Sequence, residues 1–225
     1  MVMATTTSTT AVTSLASVTL EVADPEAARR FYSAFGVDAY VRLRASEAHS
    51  TGFRGFTLAL TVSGPTTVDG LVGAAVDAGA TVLKPAATSL WGYSGVVRAP
   101  DGTIWKIATS AKKDTGPATR EIDAVVLLLG VEDVKATKQF YAGRGLAVAK
   151  SVGGKYVEFA PGGSSTVTLA LYKRRALAKD LGVPVDGTGS HRIVLGGAAA
   201  DAFDAFADPD GFAWEAAAPL APTPS

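Results

Sequence analysis

Few side chains in this sequence can do acid–base or nucleophilic chemistry. There are two histidines, His49 and His191, and no cysteine, which excludes thiolate nucleophiles, disulfides and cysteine-based metal cages. Neither imidazole stands in a recognisable triad arrangement, and Gly92-Tyr93-Ser94-Gly95 lacks the Gly-x-Ser-x-Gly spacing of a nucleophile elbow. Gly187-Thr188-Gly189 is not followed by the third glycine of a dinucleotide loop. Lys106, on an otherwise apolar strand, is of the type that burial turns into a Schiff-base amine. The plainer reading is a lysine whose stem crosses apolar surface while its head reaches water. What the sequence does concentrate is a set suited to recognition. Tyr40, Arg42 and Arg44 alternate on one stretch and Ser17, Thr19 and Glu21 on another; Trp91 and Tyr93 precede a last strand that carries Lys106. Aromatic walls with a few polar groups are what a small-molecule pocket needs. The bland alternative makes Arg42 and Arg44 a solvated face and packs Trp91 under a loop.

Composition narrows the partners. The 225 residues carry 21 basic and 21 acidic side chains, and zero net charge argues against nucleic acid, which requires a clustered basic excess. With 48% apolar and 19% charged residues the chain can bury a core. The most hydrophobic uninterrupted stretch, 124–129, is far short of the roughly 20 residues of a membrane span, so no membrane partner is expected. Residues 1–13 are threonine-rich without a basic patch or an apolar core, unlike a secretory signal, and a cytoplasmic protein is expected.

The elements that must position these residues are written twice. Asp24, Phe31, Tyr32, Gly36, Pro100, Asp101, Gly102 and Trp105 recur as Asp133, Phe140, Tyr141, Gly145, Pro209, Asp210, Gly211 and Trp214, always 109 positions on. A fainter echo, Thr57-Leu58-Ala59-Leu60 against Thr168-Leu169-Ala170-Leu171, lies 111 apart. Repetition at a fixed period marks two copies of one module, placed at 14–110 and 119–218. Between them an exposed linker is expected over 109–120, and the ends, 1–13 and 219–225, are expected to be disordered. Each copy opens with a strand, 17–22 by its strict alternation and 125–129 by its continuous apolar run. A helix follows, capped by Asp24 with Pro25 next, or by Asp133, and stopped by Gly36 or Gly145. The first copy has a second helix ending at Gly79; the second has a short helical stretch over 174–181, then a strand from His191 to Leu195. Both close with Pro-Asp-Gly and a strand whose tryptophan alternates toward the core.

This succession, a strand, a helix ending in Phe-Tyr…Gly, further strands, and Asp208-Pro209-Asp210-Gly211 leading to Glu215, resembles the vicinal oxygen chelate superfamily, which includes glyoxalase I, bleomycin-resistance proteins and extradiol dioxygenases. The resemblance covers nearly the whole chain. It implies an α+β fold of two tandem βαβββ modules, each a curled mixed β-sheet with helices on its convex face and the ligand on its concave face. The copies have lost different parts. The first lacks the segment 169–180 of the second, and the second lacks the helix ending at Gly79.

Metal-using members place a ligand on the first strand, seven residues before the capping aspartate, where this chain has Ser17 and Val126. They place a glutamate after the closing tryptophan, where it has Lys106 and Glu215. Dioxygenase-like members add a histidine in mid-module, near His191. The first copy therefore offers no divalent site, and the second keeps His191 and Glu215, with Glu158 a possible third, against the three ligands a catalytic zinc usually has. No metal or other cofactor is expected. The missing ligands favour a metal-independent small-molecule-binding protein of the bleomycin-resistance sort, and the residues of the first copy put its ligand among Tyr40, Arg42, Trp91, Tyr93 and Lys106. A second cup comprises Tyr156, Glu158, His191 and Glu215. The alternatives are a metal-dependent lyase, isomerase or dioxygenase using His191 and Glu215, a metal-free enzyme using Lys106 or His191, or a scaffold without a ligand. Either a monomer or a homodimer fits, since two modules supply what single-module relatives gain by pairing.

Overall fold

The computed structural model describes residues 11–114, 116–117, 119–162, 166–201 and 203–217; the rest of both expected disordered ends lies outside them. Strand β1 (Val12–Val22) starts five residues before the stretch that alternation marks. Val12, Leu15, Val18, Leu20 and Val22 are all buried along it, so Val12 and Thr13 belong to a strand and not to a disordered lead-in. Helix α1 (Pro25–Phe35) begins as the cap residues require: the Asp24 carboxylate accepts the amides of Glu26 and Ala27, both at 2.9 Å, and Gly36 ends the helix with φ 87°. A 3-10 turn (Asp38–Tyr40) leads to β2 (Arg42–Ala45), β3 (Ser50–Gly52), β4 (Phe56–Thr61), α2 (Pro65–Asp77), β5 (Thr81–Ser89), β6 (Gly92–Arg98) and β7 (Ile104–Thr109). The linker is tethered. Asp114 accepts the amide of Thr66 at 2.9 Å, and its hydroxyl, at the start of α2, where Gly64 has no side chain to cap with.

The second copy runs β8 (Ala124–Val131), α3 (Val134–Gly143), β9 (Val148–Val152), β10 (Tyr156–Phe159), β11 (Val167–Lys173), α4 (Arg174–Leu181), β12 (Gly187–Gly189), β13 (Ile193–Ala199), β14 (Phe206–Ala207) and β15 (Ala213–Ala216). The α+β class with curled mixed sheets is as expected. The sharing of strands is not. One sheet has eight strands in the order β5-β6-β7-β4-β8-β11-β10-β9, another has five in the order β14-β15-β13-β1-β2, and β12 and β3 form a small ribbon. Within the eight, β4-α2-β5-β6-β7 is a full βαβββ unit whose first and last strands are parallel neighbours. A second full unit is β8-α3-β9-β10-β11, and the two meet antiparallel at β4 and β8. The five-stranded sheet joins two truncated units, β1-α1-β2 and the helix-free β13-β14-β15, antiparallel at β1 and β13. Each copy thus spans two units, and neither sheet belongs to one copy. Both losses seen in the sequence fall on the same sheet.

The core lies between the inner faces of the sheets. It takes Val18 and Leu20 from β1, Leu58 and Leu60 from β4, Leu127 and Leu129 from β8, and Trp214 from β15. Helix α1 sets the Tyr32 and Phe35 rings 5.8 and 5.5 Å from Trp105, and α3 sets Tyr141 5.5 Å from Trp214. Both tryptophans point inward, as alternation demands. Among the described residues no helix is long and apolar enough to cross a membrane.

Candidate functional site

The alternation that buries Val18 and Leu20 turns Ser17, Thr19 and Glu21 to the opposite, cup-side face of the five-stranded sheet. Register puts Thr19 between Arg42 of β2 and Val194 of β13, and Ser17 beside Gly196, which is beside Glu215 of β15. Across this floor Arg44 and Glu215 form an ion pair at 2.5 Å, although β1 and β13 separate their strands. Gly196 keeps the floor low: a Cβ there would stand 2.1 Å from the Ser17 hydroxyl. The hydrogen bond to Glu215 holds the Arg44 guanidinium still more firmly protonated than usual. Arg192, at φ 54°, ties this end together by donating to the carbonyls of Glu21, Ser46 and Ala48 at 2.8, 2.7 and 3.1 Å.

At one end of the face is a hollow of about 700 Å³ lined by Ser17, Tyr40, Arg42, Asp201 and Phe203 among alanines and Gly197. The small residues make the space, and both copies contribute walls. Tyr40 and Arg42 meet here as the sequence suggests, but their expected companions are elsewhere. Trp91 sits on the tight turn between β5 and β6, 85% exposed. Tyr93 has the parity of Gly95 and Val97 and faces α2, where its hydroxyl donates to Asp69 at 2.8 Å; that bond, first among its causes, raises the phenol pKa. Lys106 lies on the other sheet, its Nζ 2.6 Å from the Asp180 carboxylate.

The cup of the eight-stranded sheet is filled by the chain itself. Leu177, Ala178 and Leu181 of α4 pack on Phe53, Val96 and Ile104 and are wholly buried. Asp180 fastens the helix, its carboxylate to Lys106 and its carbonyl to Lys84 at 2.8 Å. Tyr156 and Glu158 of the expected second cup are neighbours on β10, two strands out from β8, with the phenol donating to the carboxylate at 2.6 Å. Burial first, then that carboxylate, pushes the phenol pKa up.

His191 and Glu215 do not converge. The His191 ring stacks on buried Phe212, centroids 4.1 Å apart, with Nδ1 2.6 Å from the Arg54 carbonyl and Nε2 3.0 Å from that of Asp210. Phe212 and Trp214 face the core, so Glu215 faces away from it, and one ion cannot take both side chains. The remaining candidate donors fit a divalent ion no better. On the eight-stranded sheet Thr168, Val126, Ala59 and Lys106 stand in one row, which offers a hydroxyl, two alkyl groups and an ammonium. On the five-stranded sheet Glu215 is held by Arg44. No group of three histidine or carboxylate ligands comes together among the described residues, and three is the usual requirement. Asp201, Phe203 and Asp180 left no signal in the sequence, because no counterpart in the other copy marks them out.

No protein-family model matches the sequence, and no curated protein is similar enough to count as a relative. Among solved structures, glyoxalase I from Zea mays aligns over 89% of this chain and 90% of its own, with a TM-score of 0.57 at 15% identity. Two point mutants of that maize enzyme give 0.56 at 15% identity, over 90% and 91% of the two chains, and 0.56 at 13% over 89% and 92%. At such identities the likeness speaks for architecture alone. Strand order, parallel first and last strands in each full unit, and these alignments agree: the chain has the fold of the vicinal oxygen chelate superfamily, the one on which glyoxalase I is built.

Proposed function

We propose that this protein binds a planar aromatic molecule bearing an acidic or carbonyl group, without a metal ion, and sequesters it in the cytoplasm in the manner of a bleomycin-resistance protein. One observation carries the reading: Tyr40, Arg42 and Ser17 line the same hollow, about 700 Å³ in size, within the range of small-molecule pockets. Tyr40 and Phe203 offer ring faces, worth roughly 0.5–1.5 kcal/mol per well-placed pair beyond burial. Arg42 offers charge-assisted hydrogen bonds, about twice as strong as neutral ones. The site lies between the two copies, whereas the cup of the other sheet is filled by α4. The metal-dependent lyase, isomerase or dioxygenase reading has no support in the placement of His191 and Glu215. The test is a thermal-shift screen of planar aromatic carboxylates in excess chelator, followed by calorimetry. A ligand should bind with chelator present, and Arg42→Ala and Tyr40→Ala should each weaken it about tenfold, or roughly 1.4 kcal/mol. Binding that survives both substitutions, or that needs a divalent ion, overturns the reading.

A further inference from the structure

We propose that Arg44 is a resident cation of the five-stranded cup, and that by holding Glu215 it keeps divalent metal ions out. The carboxylate of Glu215 is the group on this face that a metal would need, and the Arg44 guanidinium sits against it at 2.5 Å. The pair is not a chance meeting of neighbours. Arg44 reaches from the edge strand β2 over β1 and β13 to β15, across the low floor that Gly196 provides. Its register partner Glu21 stands beside it on the neighbouring strand and adds a weaker electrostatic attraction. An approaching divalent ion meets a like charge at contact distance and a carboxylate one of whose oxygens already accepts a charged N–H. In this cup a ligand oxygen would be met by N–H groups where a metalloenzyme offers a Lewis acid.

The experiment is a titration with Mn²⁺ alone, read by loss of the free-ion paramagnetic resonance signal. The wild type and Arg44→Lys, which keeps the charge, should leave the signal unchanged over the range where Arg44→Ala and Arg44→Gln deplete it. The gain in affinity should be about tenfold or more on loss of the contacting charge, and Arg44→Ala combined with Glu215→Gln should abolish it. Arg44 is exposed, and circular dichroism with a melting curve confirms that each variant is folded; two neutral variants guard against one that is not. Equal Mn²⁺ binding by wild type and both neutral variants, or wild-type binding that Glu215→Gln removes, overturns the proposal. No organic ligand is used, so the outcome is independent of whether the hollow binds one.

Discussion

Asp208 accepts the Tyr141 hydroxyl at 2.6 Å and the amides of Asp210 and Phe212 at 2.9 Å, while only 5% exposed. Burial outweighs these donors and raises its pKa above the usual 3.8. A carboxyl whose folded pKa exceeds its unfolded one binds protons more tightly when folded. Its contribution to stability is therefore complete below about pH 4 and is lost as pH climbs through the raised value. Asp208→Asn removes that component. In urea unfolding, the stability of the wild type minus that of the variant should be larger at pH 4 than at pH 7; an equal difference would show that the carboxyl titrates normally. The repeat places a tyrosine and an aspartate at matching positions in both copies, Tyr32 and Asp101 recurring as Tyr141 and Asp210. In the first copy Tyr32 does donate to Asp101 at 2.6 Å. In the second, Asp210 turns instead to Thr137 and the amide of Glu132, because the first copy has Ala28 where the second has the hydroxyl of Thr137. A bond that depends on a side chain elsewhere in the other copy is not written in the spacing.

Among the elements, α4 most changes what the fold can do. Its apolar side is sealed into the cup of the eight-stranded sheet, so Leu177→Ala or Leu181→Ala should cost about 2–5 kcal/mol. Asp180→Ala breaks an ion pair whose side chains are 40% and 22% exposed and should cost about 1 kcal/mol or less. Guanidinium unfolding of the three variants checks this; an Asp180 effect as large as the leucine effects would mean that the latch, and not the apolar packing, holds the helix. The helices themselves were legible, since caps, stops and the spacing of Phe31 and Phe35 are local facts. So was the inward turn of Trp105 and Trp214, which needs only alternation. The cup was not. Alternation says that Tyr93 and Lys106 each lie on one of two faces, but which face meets α2 or α4 depends on strands far away in sequence. Lys106 and Asp180 are 74 residues apart, and Arg44 and Glu215 are 171 apart.

At the scale of the whole molecule, the two copies are interlocked, for β1 pairs with β13 and β4 with β8. A copy made alone would present the long edges of β1 and β4 without partners, exposing unpaired amides and the apolar inner face. Produced separately as 11–114 and 119–217, each half should lack cooperative unfolding and associate with itself. Mixed from denaturant, they should recover the circular dichroism spectrum and the elution volume of the full chain. Two halves that each melt cooperatively alone would mean that the exchange of strands contributes little.

The same pairing has a temporal side. Thr13 on β1 donates to the carbonyl of Ala198, 185 positions later. On a ribosome adding about 5–20 residues per second, β1 emerges roughly ten to forty seconds before the strand that completes its sheet. Throughout that interval the buried row from Val12 to Val22 has only α1 and β2 from its own sheet to cover it. The hollow proposed as the ligand site, walled by the first and the last elements to be made, is therefore the last part of the protein to come into being. A cell short of chaperone capacity would lose that hollow before it lost the eight-stranded half of the fold.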